Sequence, residues 1–328
     1  MKIFVTRKLP GESLRTLMES GNEVTVSDFD RPVTPEELLD KAKGVDALLS
    51  LLTDKINGEV VDAIGPQLKI VANYAVGFDN INVAELTERG IVVTNTPNDQ
   101  VNEAVAELSW SMVLALARKL VESDEAVKRG AYSGWEPAIF LGHNIAGKTL
   151  GIVGMGRIGS MVARMAKGFN VRVLYYKRTR DEEAEKETGA EYADMDKLLA
   201  ESDFVSLHVP LTAETRHMIN HDSLSKMKKG AILVNTARGP VVDEHDLVDS
   251  LRDGHLAGAA LDVFDNEPNI NPELVNMENV ILTPHIASAT WEARNEMGRL
   301  AVEAILQTLR GEKPSTIVNP EVWDKRRN

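Results

Sequence analysis

Short runs of aliphatic and β-branched residues alternate along this chain with stretches whose apolar positions recur at helical spacing. The first five runs are Ile3 to Thr6, Val24 to Val26, Ala47 to Leu52, Ile70 to Asn73 and Ile91 to Thr94. Between them the spacing predicts helices over 13–19, 35–43, near 58–64 and near 83–89. Strands that alternate with helices imply a parallel sheet covered on both faces. Thr96-Pro97-Asn98-Asp99 ends this series, and a long helix follows with Val101, Val105, Leu108, Met112 and Leu116 on one face. Glu107, Ser109 and Ser111 interrupt that face, so the helix is expected to bridge domains rather than cross a membrane.

A second series begins at Leu150 and continues through runs at 171–176, 204–208, 231–235, 259–263 and 280–283. After His285 a helix is predicted from near Ser288 to about Arg310, where Gly311 stops it; Pro314 and Asn319-Pro320 mark a closing loop. That helix is too long for another crossover, so the end of the chain is expected to return to the first domain. The expected fold is α/β with two doubly wound parallel-sheet domains, one formed by 1–98 and 288–328 and the other, inserted into it, by 99–287.

The turn that organises the second series is Lys148-Thr-Leu-Gly-Ile-Val-Gly154-Met-Gly156-Arg157-Ile158-Gly159. An apolar β run hands over there to a helical pattern in Ile158, Met161, Val162 and Met165. At such a junction Gly154 permits the sharp turn, Gly156 lets a pyrophosphate approach the backbone, and Gly159 lets helix and strand pack closely. The anion then rests on free N–H groups at the helix N-terminus. This predicts a Rossmann dinucleotide site. The next strand ends Tyr176-Lys177-Arg178-Thr179-Arg180, where an NAD site has a carboxylate, and no acid occurs before Asp181. Cations there attract a 2′-phosphate, so NADP(H) is the expected cofactor, with NAD(H) possible.

Composition narrows the partners. A net charge of −13 over 328 residues argues against a nucleic-acid surface. The absence of cysteine excludes disulfides, thiolate metal sites and a cysteine nucleophile. The opening Met-Lys-Ile-Phe-Val-Thr reads as a strand, and no apolar run is long enough to span a bilayer, so a cytoplasmic protein without a membrane partner is expected. His217 and His221 have the i, i+4 spacing of a zinc pair but lack the Glu of HExxH, and no metal is expected.

Three segments follow later strands: Asn235-Thr-Ala237-Arg238-Gly, Asp262-Val-Phe-Asp-Asn-Glu267-Pro and Thr283-Pro-His285-Ile. Ligands of open α/β sheets bind outside the carboxyl ends of the strands. Histidine suits proton donation to a carbonyl, a carboxylate orients it, and an arginine fork binds the carboxylate of a 2-oxo acid. Each also has a bland alternative: Arg238 in a structural ion pair, Glu267 on a solvated loop, His285 as a satisfied histidine.

Taken in order, GMGRIG, NTARG, DVFDNEP and TPHIAS resemble the D-2-hydroxyacid dehydrogenase family across essentially the whole chain. Asn73-Tyr-Ala-Val-Gly-Phe-Asp-Asn-Ile81, Gly134-Trp-Glu-Pro137 and YYKRTR resemble its glyoxylate/hydroxypyruvate reductase branch. The resemblance implies a flavodoxin-like substrate domain and a catalytic set of Arg238, Glu267 and His285. In it His285 protonates the carbonyl oxygen, Glu267 orients it and favours its charged form, and Arg238 holds the carboxylate and carbonyl. It further implies substrate contacts at Leu51, Val76, Gly77 and Trp135. Cofactor contacts would fall on Val105, Arg157, Ile158, His208, Pro210, Thr215, Ala237 and Asp262, beside the three glycines and Lys177 to Arg180. It implies a homodimer, with the long helix after Asp99 in the interface and Trp135 reaching the partner's site. Val105 stands where the family often has Thr or Ser, and Lys177 where this branch commonly has a small hydroxyl residue.

The expected activity is NADPH-preferring reduction of glyoxylate or hydroxypyruvate to the D-2-hydroxy acid. Same-fold rivals act on phosphoglycerate, phosphite or 2-ketogluconate; a chain without a regulatory domain after Pro320 fits the longer phosphoglycerate enzymes poorly. A dinucleotide-sensing binding protein could keep the same three residues. Trp110, Trp291 and Trp323 read as packing, with Trp291 near His285.

Overall fold

A computed structural model of the chain describes residues 1–327. It divides into two compact units, one formed by Met1–Val101 with the chain from Ala289 onward, the other by Asn102–Ser288.

The first unit is built on β1 (Lys2–Val5), β2 (Glu23–Val26), β3 (Ala47–Leu51), β4 (Ile70–Tyr74) and β5 (Val92–Thr94), all parallel in the order β2-β1-β3-β4-β5. Every residue of β4 is buried, as a strand covered on both faces requires. The crossover helices start where the sequence supplies caps. Thr34, Asn57 and Asn82 each accept a backbone N–H three residues on, satisfying donors that a helix start leaves orphaned. The last long helix, Trp291–Leu309, begins at the Thr290 cap rather than at Ser288 and packs Ala293, Met297, Ala301 and Ile305 inward. The closing segment is pinned by buried Asn319, which accepts from Val93 N–H (2.9 Å) and donates to the Ile91 carbonyl (3.0 Å).

The second unit holds β6 (Thr149–Val153), β7 (Arg172–Tyr176), β8 (Glu191–Tyr192), β9 (Phe204–Leu207), β10 (Ile232–Asn235), β11 (Gly258–Leu261) and β12 (Val280–Leu282). Their order is β12-β11-β10-β9-β6-β7-β8, with every pair parallel. Successive residues enter opposite cores, as strand alternation dictates: Leu174, Val205, Leu233 and Leu261 on one face, Ile152, Tyr175, Phe204 and Val234 on the other. The strand order reverses between β6 and β9, which is the switch point where such sheets open a crevice.

Two elements were not expected. The long helix after Asp99 runs Asp99–Ala117 as its apolar face predicted, and a second helix, Leu120–Lys128, follows it where Lys119 adopts a left-handed conformation (φ 52°). β8 was not foreseen, since its two exposed residues carry no apolar signal. Among the described residues no helix is long and apolar enough to cross a membrane.

Candidate active site

The glycine turn lies at the carboxyl end of β6. Gly154 has φ +104° and a Cβ there would meet the His208 carbonyl at 2.5 Å, so only glycine fits. At Gly159 a Cβ would overlap the Gly154 carbonyl, whereas at Gly156 it would point into open space. The outer two glycines therefore serve packing, and the middle one leaves backbone accessible. Gly156 caps the helix Arg157–Ala166 without any side-chain hydrogen bond, so the first N–H groups are uncapped by protein side chains. This cradle fits a dinucleotide pyrophosphate. Arg157 is exposed and Ile158 half-buried beside it.

His208 follows β9 and shares a 2.8 Å hydrogen bond with the Ser206 hydroxyl. Burial pushes its pKa down to about 4, so it is neutral at pH 7. In the same loop the Thr215 hydroxyl donates to the Pro210 carbonyl (2.6 Å). Beyond β7, two of the four residues expected to read a 2′-phosphate turn to carboxylates of the chain. Lys177 donates to Asp181 (2.6 Å) and Arg180 makes a fork to Glu185 (2.8 Å for both bonds). Those pairs hold Asp181 and Glu185 below the usual carboxylate range. Arg178 and Thr179 are exposed, and Arg178 adds its charge to the Thr212 hydroxyl in holding down Glu214.

Arg238, Glu267 and His285 are brought together within the second unit by three loops that follow β10, β11 and β12. Asn235, the last residue of β10, shapes the first loop by accepting the Ala237 N–H (3.0 Å) and donating to the Arg238 carbonyl (2.9 Å). The second loop crosses it so closely that a Cβ on Gly239 would overlap the Phe264 carbonyl. Glu267 accepts the Phe264 N–H (3.1 Å) and bonds His285 Nδ1 (2.9 Å). Burial works against the Glu267 charge, yet the His285 hydrogen bond, assisted by Arg238, leaves its carboxyl below the usual range. His285 has φ +55°, a conformation that needs support.

Asp262 supplies it. Its fully buried carboxylate accepts from the Thr283 hydroxyl (2.5 Å), Ile286 N–H (2.8 Å) and Ala287 N–H (2.8 Å), while its carbonyl takes the His285 N–H (2.9 Å). Expected as a cofactor contact, Asp262 is in the structure the clamp of the histidine loop. Neither that role nor the part of Asn235 was legible beforehand, because both depend on which loop each strand end faces. Val105 is buried one turn before Ser109, whose hydroxyl reaches Thr236 (2.9 Å) beside Ala237.

Leu51, Val76 and Gly77 lie in the first unit, Leu51 as the last residue of β3 and the other two just past the end of β4. The Asn80 side chain donates to the carbonyls of Leu51 (3.1 Å) and Asp54 (2.9 Å), and buried Asn73 donates to Gly77 (3.0 Å), joining the two loops. Trp135 is 81% exposed. The packing expected of the other tryptophans holds only in part: Trp110 is buried and donates to Val162, but Trp291 is 71% exposed. His217 sits before the Asn220 cap of the helix His221–Lys226 and faces Asp243 (3.4 Å), so the 217/221 spacing is not one helical turn. Among the described residues no group of three or more His, Asp or Glu is arranged to hold a metal ion.

A dinucleotide cradle on one doubly wound sheet, with an arginine and a carboxylate-bound histidine at its strand ends, defines a nicotinamide-dependent α/β oxidoreductase. Residues 110–287 match the family model of the D-isomer specific 2-hydroxyacid dehydrogenase NAD binding domain. The chain is 49% identical over 330 residues to the glyoxylate reductase of Thermococcus onnurineus, covering 99% of this chain and 98% of that one. It is 51% identical to the glyoxylate reductase of Pyrococcus furiosus, covering 98% and 96%. The solved NADPH-dependent glyoxylate/hydroxypyruvate reductase of Sinorhizobium meliloti, in complex with citrate, matches with a TM-score of 0.85 at 31% identity, covering 100% and 99%. The chain belongs to the D-isomer-specific 2-hydroxyacid dehydrogenase family, in its glyoxylate reductase branch, and is an NAD(P)-dependent reductase of 2-oxo acids.

Proposed function

We propose that this enzyme reduces glyoxylate and hydroxypyruvate with NADPH, and that His285 is the proton donor. The observation that carries the proposal is the 2.9 Å bond between His285 Nδ1 and Glu267. With Nδ1 engaged by the carboxylate, the ring orientation is fixed and Nε2 is the nitrogen left to face a substrate. Bound at the glycine cradle, a reduced nicotinamide would supply the hydride. His285 Nε2 would give its proton to the carbonyl oxygen, which is retained as the hydroxyl of the product. Arg238 holds the substrate's carboxylate and polarises the carbonyl. Residues 1–98 with 288–328 form the substrate domain in this reading, with Leu51 and the N–H groups of Val76 and Gly77 as contacts.

The preference for NADPH rests on Arg178. Lys177 and Arg180 already have carboxylate partners, so Arg178 is the cation from which a 2′-phosphate displaces least. Initial rates with NADPH and NADH across glyoxylate, hydroxypyruvate, pyruvate and 2-ketogluconate test the whole proposal. Fast turnover of the first two with NADPH is expected. A strong NADH preference would overturn the phosphate assignment alone, and tight dinucleotide binding without turnover of any substrate would point to a sensing protein. His285→Ala should lower kcat by about two to four orders of magnitude while leaving dinucleotide affinity unchanged.

A further inference from the structure

The two peptide groups that carry the Val76 and Gly77 N–H bonds are each held from behind by one short segment. The Asn95 side chain donates to the Val76 carbonyl at 2.7 Å. The Thr96 N–H donates to the Ala75 carbonyl at 2.9 Å. Both peptides are trans, the only cis bond among the described residues being Glu267-Pro268. In a trans peptide the carbonyl and the N–H point to opposite sides of the plane. Fixing the Val76 carbonyl on Asn95 therefore aims the Gly77 N–H away from Asn95, and fixing the Ala75 carbonyl on Thr96 aims the Val76 N–H away from Thr96.

Asn95 is itself anchored. It follows β5, its N–H donates to the Thr316 carbonyl (3.2 Å), and the neighbouring Thr94 bridges Ile317 in the closing segment. On the other side of the turn, the Gly77 carbonyl is taken by Asn73 (3.0 Å), which is paired reciprocally with Asn80 (3.0 and 3.2 Å). The conformation of 75–77 is thus imposed by the side-chain amides of Asn95 and Asn73 together with the Thr96 N–H, outside the sheet ladder. A donor on a peptide carbonyl also polarises that peptide and strengthens its N–H toward an anion.

We propose that Asn95 is a positioning residue for carboxylate recognition, orienting the Val76–Gly77 peptide so that its N–H meets the carboxylate of the 2-oxo acid. This rests on the assignment of Val76 and Gly77 to the substrate. Asn95→Ala removes the donor and should raise KM for glyoxylate about five- to tenfold, the loss of one ordinary hydrogen bond. Asn95→Asp puts an anion against the Val76 carbonyl and should raise it further. Inhibition by oxalate, a carboxylate mimic of the substrate, should weaken in parallel.

The test measures kcat, KM, oxalate Ki and, by fluorescence, dinucleotide Kd for both variants and for Gly77→Pro, which deletes the N–H itself. A rise in KM and Ki with unchanged dinucleotide Kd, graded from Asn95→Ala to Asn95→Asp, is the expected result. If Gly77→Pro raises KM but Asn95→Ala leaves it unchanged, the positioning role is wrong while the substrate assignment survives. Unchanged KM in Gly77→Pro overturns that assignment and the proposal with it. Loss of dinucleotide and substrate binding together in the Asn95 variants, with a lowered melting temperature, makes Asn95 a structural residue and also overturns the proposal.

Discussion

Glu267 and Arg178 show how far single residues can be read. Glu267 was identifiable as a candidate because an acid, an arginine and a histidine recur after strand ends, and its partner, His285, came from the family resemblance and not from any local pattern. The contact to His285 exists because the loop after β11 crosses the loop after β10 at Gly239, which no local pattern records. The carboxylate bond to Nδ1 fixes the ring so that Nε2 faces the substrate, so Glu267→Gln should lower kcat by about tenfold or more while leaving dinucleotide affinity unchanged. A kcat unchanged from wild type would remove Glu267 from that role. At the cofactor end, Arg178→Ala should raise KM for NADPH at least about tenfold and leave NADH within about twofold, since a bidentate arginine–phosphate contact is worth more than 1.4 kcal/mol. Arg180→Ala should do less, because Arg180 is committed to Glu185. The basic run was plain in the sequence. That Asp181 and Glu185 compete for two of its members was not, because the start of the helix Glu182–Thr188 folds back over the strand end.

At the level of elements, the alternation of strands and helices was legible because most of these strands, β4 and β10 among them, are buried on both faces and read as continuous apolar runs. Boundaries moved where caps decided them, as at Thr290, and an additional helix followed Lys119, where the chain left the helical region. The β6 turn makes the most demanding element. Gly154→Ala would force a Cβ toward the His208 carbonyl at 2.5 Å in a left-handed backbone, and should cost several-fold in dinucleotide affinity together with a lowered melting temperature. His208 opposite that turn should give the fold a pH dependence. Its folded pKa, about 4, lies below the ordinary value of 6.5, so between these limits the unfolded chain binds the proton and the folded one does not. Stability attributable to His208 is therefore present above pH 6.5 and declines as pH falls toward 4. A melting-temperature series should flatten over that interval in His208→Gln, relative to wild type.

For the whole molecule, the segment from Leu120 to Leu141 exposes Leu120, Val127, Tyr132, Trp135 and Leu141. So much apolar surface on one stretch is what an association face requires. We propose a homodimer through it, with sedimentation expected to give twice the 36.0 kDa chain mass. Trp135→Ala with Leu141→Asp should yield monomers; a monomeric wild-type protein would refute the interface. With a net charge of −13 the molecule offers an anionic dinucleotide no general attractive field, so in the proposed reading its capture depends on Arg178 and the uncapped helix start.

By itself the sequence determined the two α/β series, the glycine turn, the basic strand end and the three residue types of the candidate site. Each of these is written in local spacing, where apolar period and glycine conformation act within a few residues. Tertiary structure alone decided the remaining partners: Asp262 clamping the histidine loop, Asn95 behind the Val76–Gly77 peptide, Asn319 on β5. Those contacts join residues as far apart as Val93 and Asn319, and a polar side chain finds its partner only after sheet order and loop crossings have fixed which strand ends are neighbours.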